Sequence, residues 1–83
     1  MYQLRWTLEA RVDLADAWVA AVDQAAVNRA TAQAEAILRS HPYGQAVHRS
    51  EGLWRLTVRP LAIFFELDPA TRTVTIQSVG TIV

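Results

Sequence analysis

The segment at residues 61–67, LAIFFEL, decides the fold of this chain. Its side chains alternate between the two sides of an extended strand, and both sides are apolar apart from Glu66. A strand that is apolar on both faces is typical of the middle of a sheet. We therefore predict a central strand here, with further strands on either side of it.

The segments around this strand predict the rest of the sheet. Residues 53–59 alternate between an apolar and a polar face, residues 73–79 form a last strand, and residues 1–7 form a first one. Val47–Ser50 is a weaker strand candidate. The two faces of the strand at residues 53–59 carry Trp54, Leu56 and Val58 on one side and Arg55, Thr57 and Arg59 on the other.

Between the first strand and these later strands the apolar spacing becomes helical. Thr7 and Asp23 are the expected N-caps of two consecutive helices, and His41-Pro42 ends the second helix. The expected inward stripes are Leu8, Val12, Ala15, Val19 and Val22, widened by Leu14 and Trp18, on the first helix, and Val27, Ala30, Ala34, Ile37 and Leu38 on the second. Trp6, Trp18 and Trp54 are expected in the core.

The order β-α-α-β-β-β predicts one α+β domain at residues 1–83. An antiparallel helical hairpin would cover one face of a mostly antiparallel sheet, in which three to four strands follow the helices. The other face of the sheet would stay partly open. Phe64 and Ala62 would then form an apolar patch for a partner on that open face.

Composition excludes several classes of protein. The 83 residues carry eight arginines, no lysine and eight acidic residues, so the net charge is zero. Strong nonspecific binding to nucleic acid or to a membrane surface needs a basic excess. Without cysteine there is no disulfide, thiol nucleophile or zinc–thiolate site. With neither a signal peptide nor a membrane-spanning segment in evidence, we predict a cytoplasmic protein that does not contact membranes.

Residues 41–60 form the local basic patch and hold both histidines. Arg55 and Arg59 are expected on the same strand face, about 13 Å apart, which suits two contacts on an extended acidic partner. The structural alternative is that these are solvated surface residues, or that Arg55 pairs with Glu66 across the hairpin. The spacing of His41 and His48 predicts no metal site, and no cofactor motif is present.

The motifs, in this order, resemble those of the RelE/ParE superfamily of toxins. The resemblance extends over nearly the whole chain. The residues that carry it are Arg5-Trp6-Thr7, the run from Ala10 through Asp13-Leu14-Ala15-Asp16 to Trp18, His41-Pro42-Tyr43-Gly44, Gly52-Leu53-Trp54-Arg55-Leu56-Thr57-Val58, Ile63-Phe64-Phe65-Glu66-Leu67 and Val74-Thr75-Ile76-Gln77-Ser78-Val79-Gly80.

This resemblance implies the toxin of a type II toxin–antitoxin pair, neutralised by a cognate antitoxin. RelE-like members cut messenger RNA on the ribosome, and ParE-like members poison DNA gyrase. Cleavage proceeds by 2′-hydroxyl attack on the adjacent phosphate, which needs cations and a group that moves protons. By the resemblance, Arg55 matches the first sheet-face cation of the ribonucleases, and Arg59 matches a second basic position.

Other cationic positions of the ribonuclease members are not matched. They fall at Thr57, at Ala62 and at Thr81 or Ile82, and the sequence ends at Val83, before the segment that carries a catalytic Tyr or His. We therefore predict a toxin without robust messenger-RNA cleavage, either ParE-like or degenerate. One alternative is a metal-independent endoribonuclease that uses Arg55, Arg49 and His48. The other is a non-toxic binding module. Arg55, Arg59, Thr57, Ala62 and Phe64 are the predicted partner-binding residues.

Overall fold

The fold has two layers, a five-stranded sheet and a helical hairpin on one of its faces. A computed structural model describes residues 1–82, so Val83 and anything expected of it lie outside the described residues. The elements are β1 (Gln3–Trp6), α1 (Leu8–Ala20), α2 (Gln24–Ser40), β2 (Val47–Ser50), β3 (Leu53–Val58), β4 (Leu61–Asp68) and β5 (Thr73–Thr81). Neither of these helices is long and apolar enough to cross a membrane.

The sheet has the strand order β1-β5-β4-β3-β2, which confirms the predicted α+β class. β1 runs parallel to β5, and the other neighbouring strands are antiparallel. β4 is the central strand, as its two-sided apolar pattern predicts. Leu61, Ile63 and Phe65 are fully buried on its helix side, together with Leu56 of β3 and Ile76 of β5.

The predicted helix ends are confirmed by their hydrogen bonds. The Thr7 hydroxyl accepts from the Ala10 N–H (3.1 Å), and the Asp23 carboxylate accepts from the Ala26 N–H (3.1 Å). Each side chain satisfies one of the N–H groups that a helix start leaves without a partner. α2 ends at Ser40, just before His41-Pro42. The predicted inward face of α2 is also confirmed, since Val27, Ala30, Ala34 and Leu38 are buried and Ile37 is partly buried.

The predicted inward face of α1 is wrong. Leu8, Val12 and Val19 are 79%, 50% and 73% exposed, Val22 is fully exposed, and Trp18 is not a core residue because 40% of it is exposed. The buried residues of α1 are instead Ala10 and Ala17. Leu14, Trp6 and Trp54 are partly buried against the core. An alanine face lets the helix approach closely, which larger side chains would prevent.

Polar groups at the start of α1 hold this orientation by completing the edge of β5. β1 pairs with β5 only as far as Trp6 opposite Ile76. Beyond this point the edge of β5 that faces away from β4 has no neighbouring strand within residues 1–82. The Thr7 N–H donates to the Ile76 carbonyl (3.1 Å) and the Thr7 hydroxyl to the Gln77 carbonyl (3.2 Å). The Val79 N–H donates to the Asp13 carboxylate (3.0 Å). Buried backbone groups need such partners, and α1 supplies them.

We predict that Asp13→Ala lowers the free energy of unfolding by about 1–3 kcal/mol, because the partly buried Val79 N–H loses its acceptor. The measurement is urea-induced unfolding. Asp13→Asn is the matched control, since it keeps an acceptor of the same shape and should recover most of the loss. Equal stability of Asp13→Ala and the wild type would show that this hydrogen bond does not hold α1 in place.

Candidate functional site

The sheet face that points away from the helices is the candidate site. Several rows of directly opposed residues cross this face, and two neighbouring rows form the candidate site. In the first row Arg55 of β3 lies opposite Phe64 of β4, which lies opposite Ser78 of β5. In the second row Thr57 lies opposite Ala62, which lies opposite Gly80. Side chains opposite one another in neighbouring strands share a face, so these six residues form one continuous surface.

Arg55 is the one cation among these six residues. It is half-buried, with Phe64 on one side and Val47 of β2 on the other. The Nε atom of Arg55 is buried and has no hydrogen-bond acceptor within residues 1–82. An unsatisfied buried donor costs about 1–3 kcal/mol, so the fold holds a donor that a ligand would satisfy.

The charge of Arg55 is not neutralised by the part of the chain that the structure describes. The one ion pair within residues 1–82 joins Arg29 to Asp23 (3.8 Å), at the start of α2. Glu66 lies opposite Leu53 rather than opposite Arg55, so the structural alternative of an Arg55–Glu66 pair is not formed. Arg55 therefore presents to a partner a positive charge that is unpaired in the described chain, while the neighbouring row of the same face carries one charge of each sign, Glu66 and Arg5, both opposite Thr75.

An apolar floor lies beside this charge. Phe64 is half-buried, and Ala62 is nearly covered although no helix lies on this side. At Gly80 a side chain would meet only open space, so the floor continues across β5 without obstruction. Thr57 stands exposed at the rim. The arrangement of one guanidinium next to a shallow apolar surface suits a partner that combines a carboxylate or phosphate with apolar groups.

The predicted catalytic group of Arg55, Arg49 and His48 is not assembled. His48 lies opposite Trp54 in the sheet and packs its ring against that indole, with centroids 5.0 Å apart. Trp54 belongs to the helix side, so His48 and Arg55 lie on opposite faces of the sheet. Arg49 is the extra residue of an irregularity between His48 and Ser50, which removes it from the regular alternation.

Arg59 is also separated from Arg55, which corrects the expected pair on one strand face. β3 ends at Val58, and Arg59 with Pro60 forms the turn into β4. Arg59 lines a cleft with Ala17 and Ala20 of α1, at the hairpin end of the helical layer. The alternation of apolar and polar residues continues through residue 59, although β3 itself ends at Val58. The sequence pattern therefore does not reveal this change.

Val47, Ser78 and Gly80 are the members of the surface that sequence reasoning missed. The alternation in β2 is too short to place Val47 beside Arg55 without the register. In β5, Gln77 is an extra residue opposite the Phe64–Phe65 step, so Ser78 rather than Gln77 lies opposite Phe64. No cluster of three or more metal-ligating side chains occurs among the described residues.

Comparison with known proteins identifies the fold. No family profile and no curated sequence matches the chain. A chain of the toxin–antitoxin complex RelBE2 from Mycobacterium tuberculosis has a TM-score of 0.79 at 22% identity, with 96% of each chain covered. A chain of the chromosomal ParDE system of P. aeruginosa has a TM-score of 0.70 at 19% identity, covering 100% of this chain and 98% of that one.

The isolated E. coli RelE toxin is also similar, with a TM-score of 0.69 at 14% identity, over 100% of this chain and 86% of that one. These matches span both named groups of the resemblance. They agree with the strand order and the helical hairpin described above. The chain therefore has the fold of the RelE and ParE toxins.

We predict that Arg55→Met leaves the free energy of unfolding within about 0.5 kcal/mol of the wild type or raises it, since the unsatisfied Nε is removed and the aliphatic stem is kept. The neighbouring core substitution Leu56→Ala is the control and should cost about 2–5 kcal/mol. Chemical unfolding measures both. A loss above about 2 kcal/mol for Arg55→Met would identify a stabilising role within the fold instead.

Proposed function

With the RelE/ParE fold as the premise, we propose that this chain is the toxin of a type II toxin–antitoxin pair and is neutralised by a cognate antitoxin. The fold match to chains from the RelBE2 and ParDE systems supports this over nearly the entire length. The observation that carries the proposal is the open sheet face, where an unneutralised Arg55 with an unsatisfied Nε lies beside Phe64. That surface has the chemistry to receive an antitoxin segment.

The antitoxin segment would contribute one carboxylate and at least one apolar side chain. A carboxylate bound to Arg55 would accept from the guanidinium in a charge-assisted hydrogen bond, which is stronger than a neutral one. An apolar side chain over Phe64 and Ala62 would remove their remaining surface from water. Thr57 at the rim would make polar contacts with the same segment. The predicted partner residues other than Arg59 thus form one contact surface.

We further propose that the toxin does not cleave messenger RNA efficiently. Phosphoryl transfer to a 2′-hydroxyl develops charge that preorganised cations must stabilise. In the two rows of the candidate site Arg55 is the sole cation, and the residues directly opposite it are Phe64 and Val47. The next row of the same face adds Arg5 and Glu66, both opposite Thr75. His48, the candidate for proton transfer, lies on the other face of the sheet. One guanidinium with no proton-transfer group in its own two rows supports binding better than it supports catalysis.

We therefore propose that the toxin either acts by poisoning DNA gyrase or is a degenerate toxin. Ribosome-dependent cleavage remains the alternative. A binding surface without catalytic groups is sufficient for a protein that acts by holding its target. It is not sufficient for a nuclease, which must also move protons.

We predict that induced expression in a bacterial host arrests growth and alters plasmid supercoiling, and that co-expression of a cognate antitoxin restores growth. On programmed ribosomes the purified chain should leave messenger RNA intact, while the E. coli RelE toxin, run in parallel, provides the positive control.

Three outcomes would contradict parts of the proposal. Codon-positioned cuts at about 1 per second or faster would establish the ribonuclease alternative. Unaffected growth, with antitoxin binding retained by the purified chain, would identify a non-toxic binding module. Absence of both growth arrest and antitoxin binding would reject the toxin–antitoxin assignment itself.

A further inference from the structure

The outward face of α1, with Val22 just after it, carries most of the exposed large hydrophobic residues of the described chain. Eight large hydrophobic residues are exposed within residues 1–82, and five of them lie on α1 or just after it. Four of these five, together with the exposed Ala15, make up what we call the outer stripe, which runs along α1 and ends with Val22 two residues beyond the last helical residue, Ala20. Its members are Leu8, Val12, Ala15, Val19 and Val22. Trp18 borders it. A soluble monomer rarely exposes such a continuous apolar surface without a use for it.

The spacing of the outer stripe is that of a helix–helix seam. Successive members are separated by four, three, four and three residues, which is the a/d repeat of a coiled coil. At 3.6 residues per turn, the centre of the stripe lies roughly 165° around α1 from the buried Ala10 and Ala17. A second helix therefore reaches the stripe from the side opposite β5, without displacing any core contact.

We propose that the outer stripe packs against the outer stripe of a second copy of this chain, with the two α1 helices parallel about a two-fold axis that runs along them. The proposal is independent of the toxin assignment. A two-fold interface brings the same surface of each copy together, and a heptad stripe is complementary to itself in this arrangement.

Charge complementarity selects the parallel direction. In the heptad frame of the stripe, Arg11 occupies a g position and Asp16 the following e position, and parallel helices bring these two positions together between chains. Each copy would thus donate from Arg11 to Asp16 of the other. Within one chain the two residues are five apart on α1, so they do not face each other. Both are exposed and unpaired in the described chain.

The antiparallel arrangement is disfavoured by the same residues. It would bring e positions together, placing Asp16 against the Asp16 of the other copy. Like charges in direct opposition destabilise a pairing. The chain as a whole opposes neither arrangement, since its net charge is zero.

The groove between α1 and α2 adds to the area that a second copy would cover. It has a volume of about 720 Å³, and its lining includes Ala15, Trp18 and Val19 of α1 together with Val27 and Ala32 of α2. Because Ala15 and Val19 belong to both surfaces, the groove continues into the outer stripe. A helix seated on the stripe would therefore also contact α2, and the dimer would contain a four-helix layer. Two heptads of α1 alone would give a smaller interface than stable dimers have.

Single cysteines test the pairing and its direction, and the chain contains no cysteine of its own. In the parallel dimer each seam residue lies opposite itself, so Val12→Cys and Val19→Cys should each form a disulfide-linked dimer under mild oxidation. In an antiparallel dimer these variants would cross-link only when mixed. Ala20→Cys, exposed on the same helix but outside the stripe, is the matched control and should stay monomeric.

A charge swap supplies a second readout in solution. Arg11→Asp and Asp16→Arg alone should each weaken dimerisation about tenfold in analytical ultracentrifugation, and the double swap should restore most of it. Rescue requires the two residues to meet between chains. A wild-type chain that is monomeric at about 100 µM, or a double swap weaker than both single variants, would overturn the proposal. Stripe variants that lose antitoxin affinity while the free chain is monomeric would assign the stripe to the antitoxin instead.

Discussion

The hydrogen bonds that join the start of α1 to the free edge of β5 are the constraint on which the rest of the molecule depends. β1 is too short to cover this edge, so Thr7 and Asp13 form the hydrogen bonds to β5 beyond the end of β1. The same Thr7 hydroxyl also accepts from the first turn of α1. One residue thus ends the strand, starts the helix and fixes the helix against the sheet.

This attachment determines which side of α1 is buried. With Asp13 turned to β5, Ala10 and Ala17 enter the core, and the larger Leu8, Val12 and Val19 turn to solvent. Both helices then lie on one face of the sheet, so the other face stays open around Arg55 and Phe64. The apolar outer stripe and the cationic open face are therefore consequences of the same packing arrangement, on opposite sides of the molecule.

Most of the fold was predictable from local patterns in the sequence. The two-sided apolar pattern of residues 61–67 identified the central strand, and the caps Thr7 and Asp23 marked both helix starts. The face of α1 was not predictable, because its alanines and its larger apolar residues form two competing stripes. Which stripe faces the sheet depends on how closely α1 approaches it, because a short distance admits only the small alanine side chains. That distance depends on the contact of Asp13 with Val79.

The candidate site was predictable only in part, because strand alternation places some of its residues correctly and others incorrectly. Arg55, Thr57, Ala62 and Phe64 share a face because strand alternation alone places them there. Alternation fails wherever the register shifts. The irregularity at Arg49, the end of β3 before Arg59 and the extra Gln77 in β5 each moved a residue away from its expected position. These features depend on pairing between strands, which a single segment of sequence does not reveal.

The central claim is that the part of the open face around Arg55 is where the partner binds. The most direct measurement is the NMR signal of the Arg55 Nε–H in the isotope-labelled chain, titrated with the antitoxin that we propose as its partner. In the free chain this donor has no acceptor within the described residues. On binding, we expect the signal to shift and its exchange with solvent to slow, because a carboxylate then accepts from it. A complex that forms while the Arg55 signal stays unchanged would contradict the account.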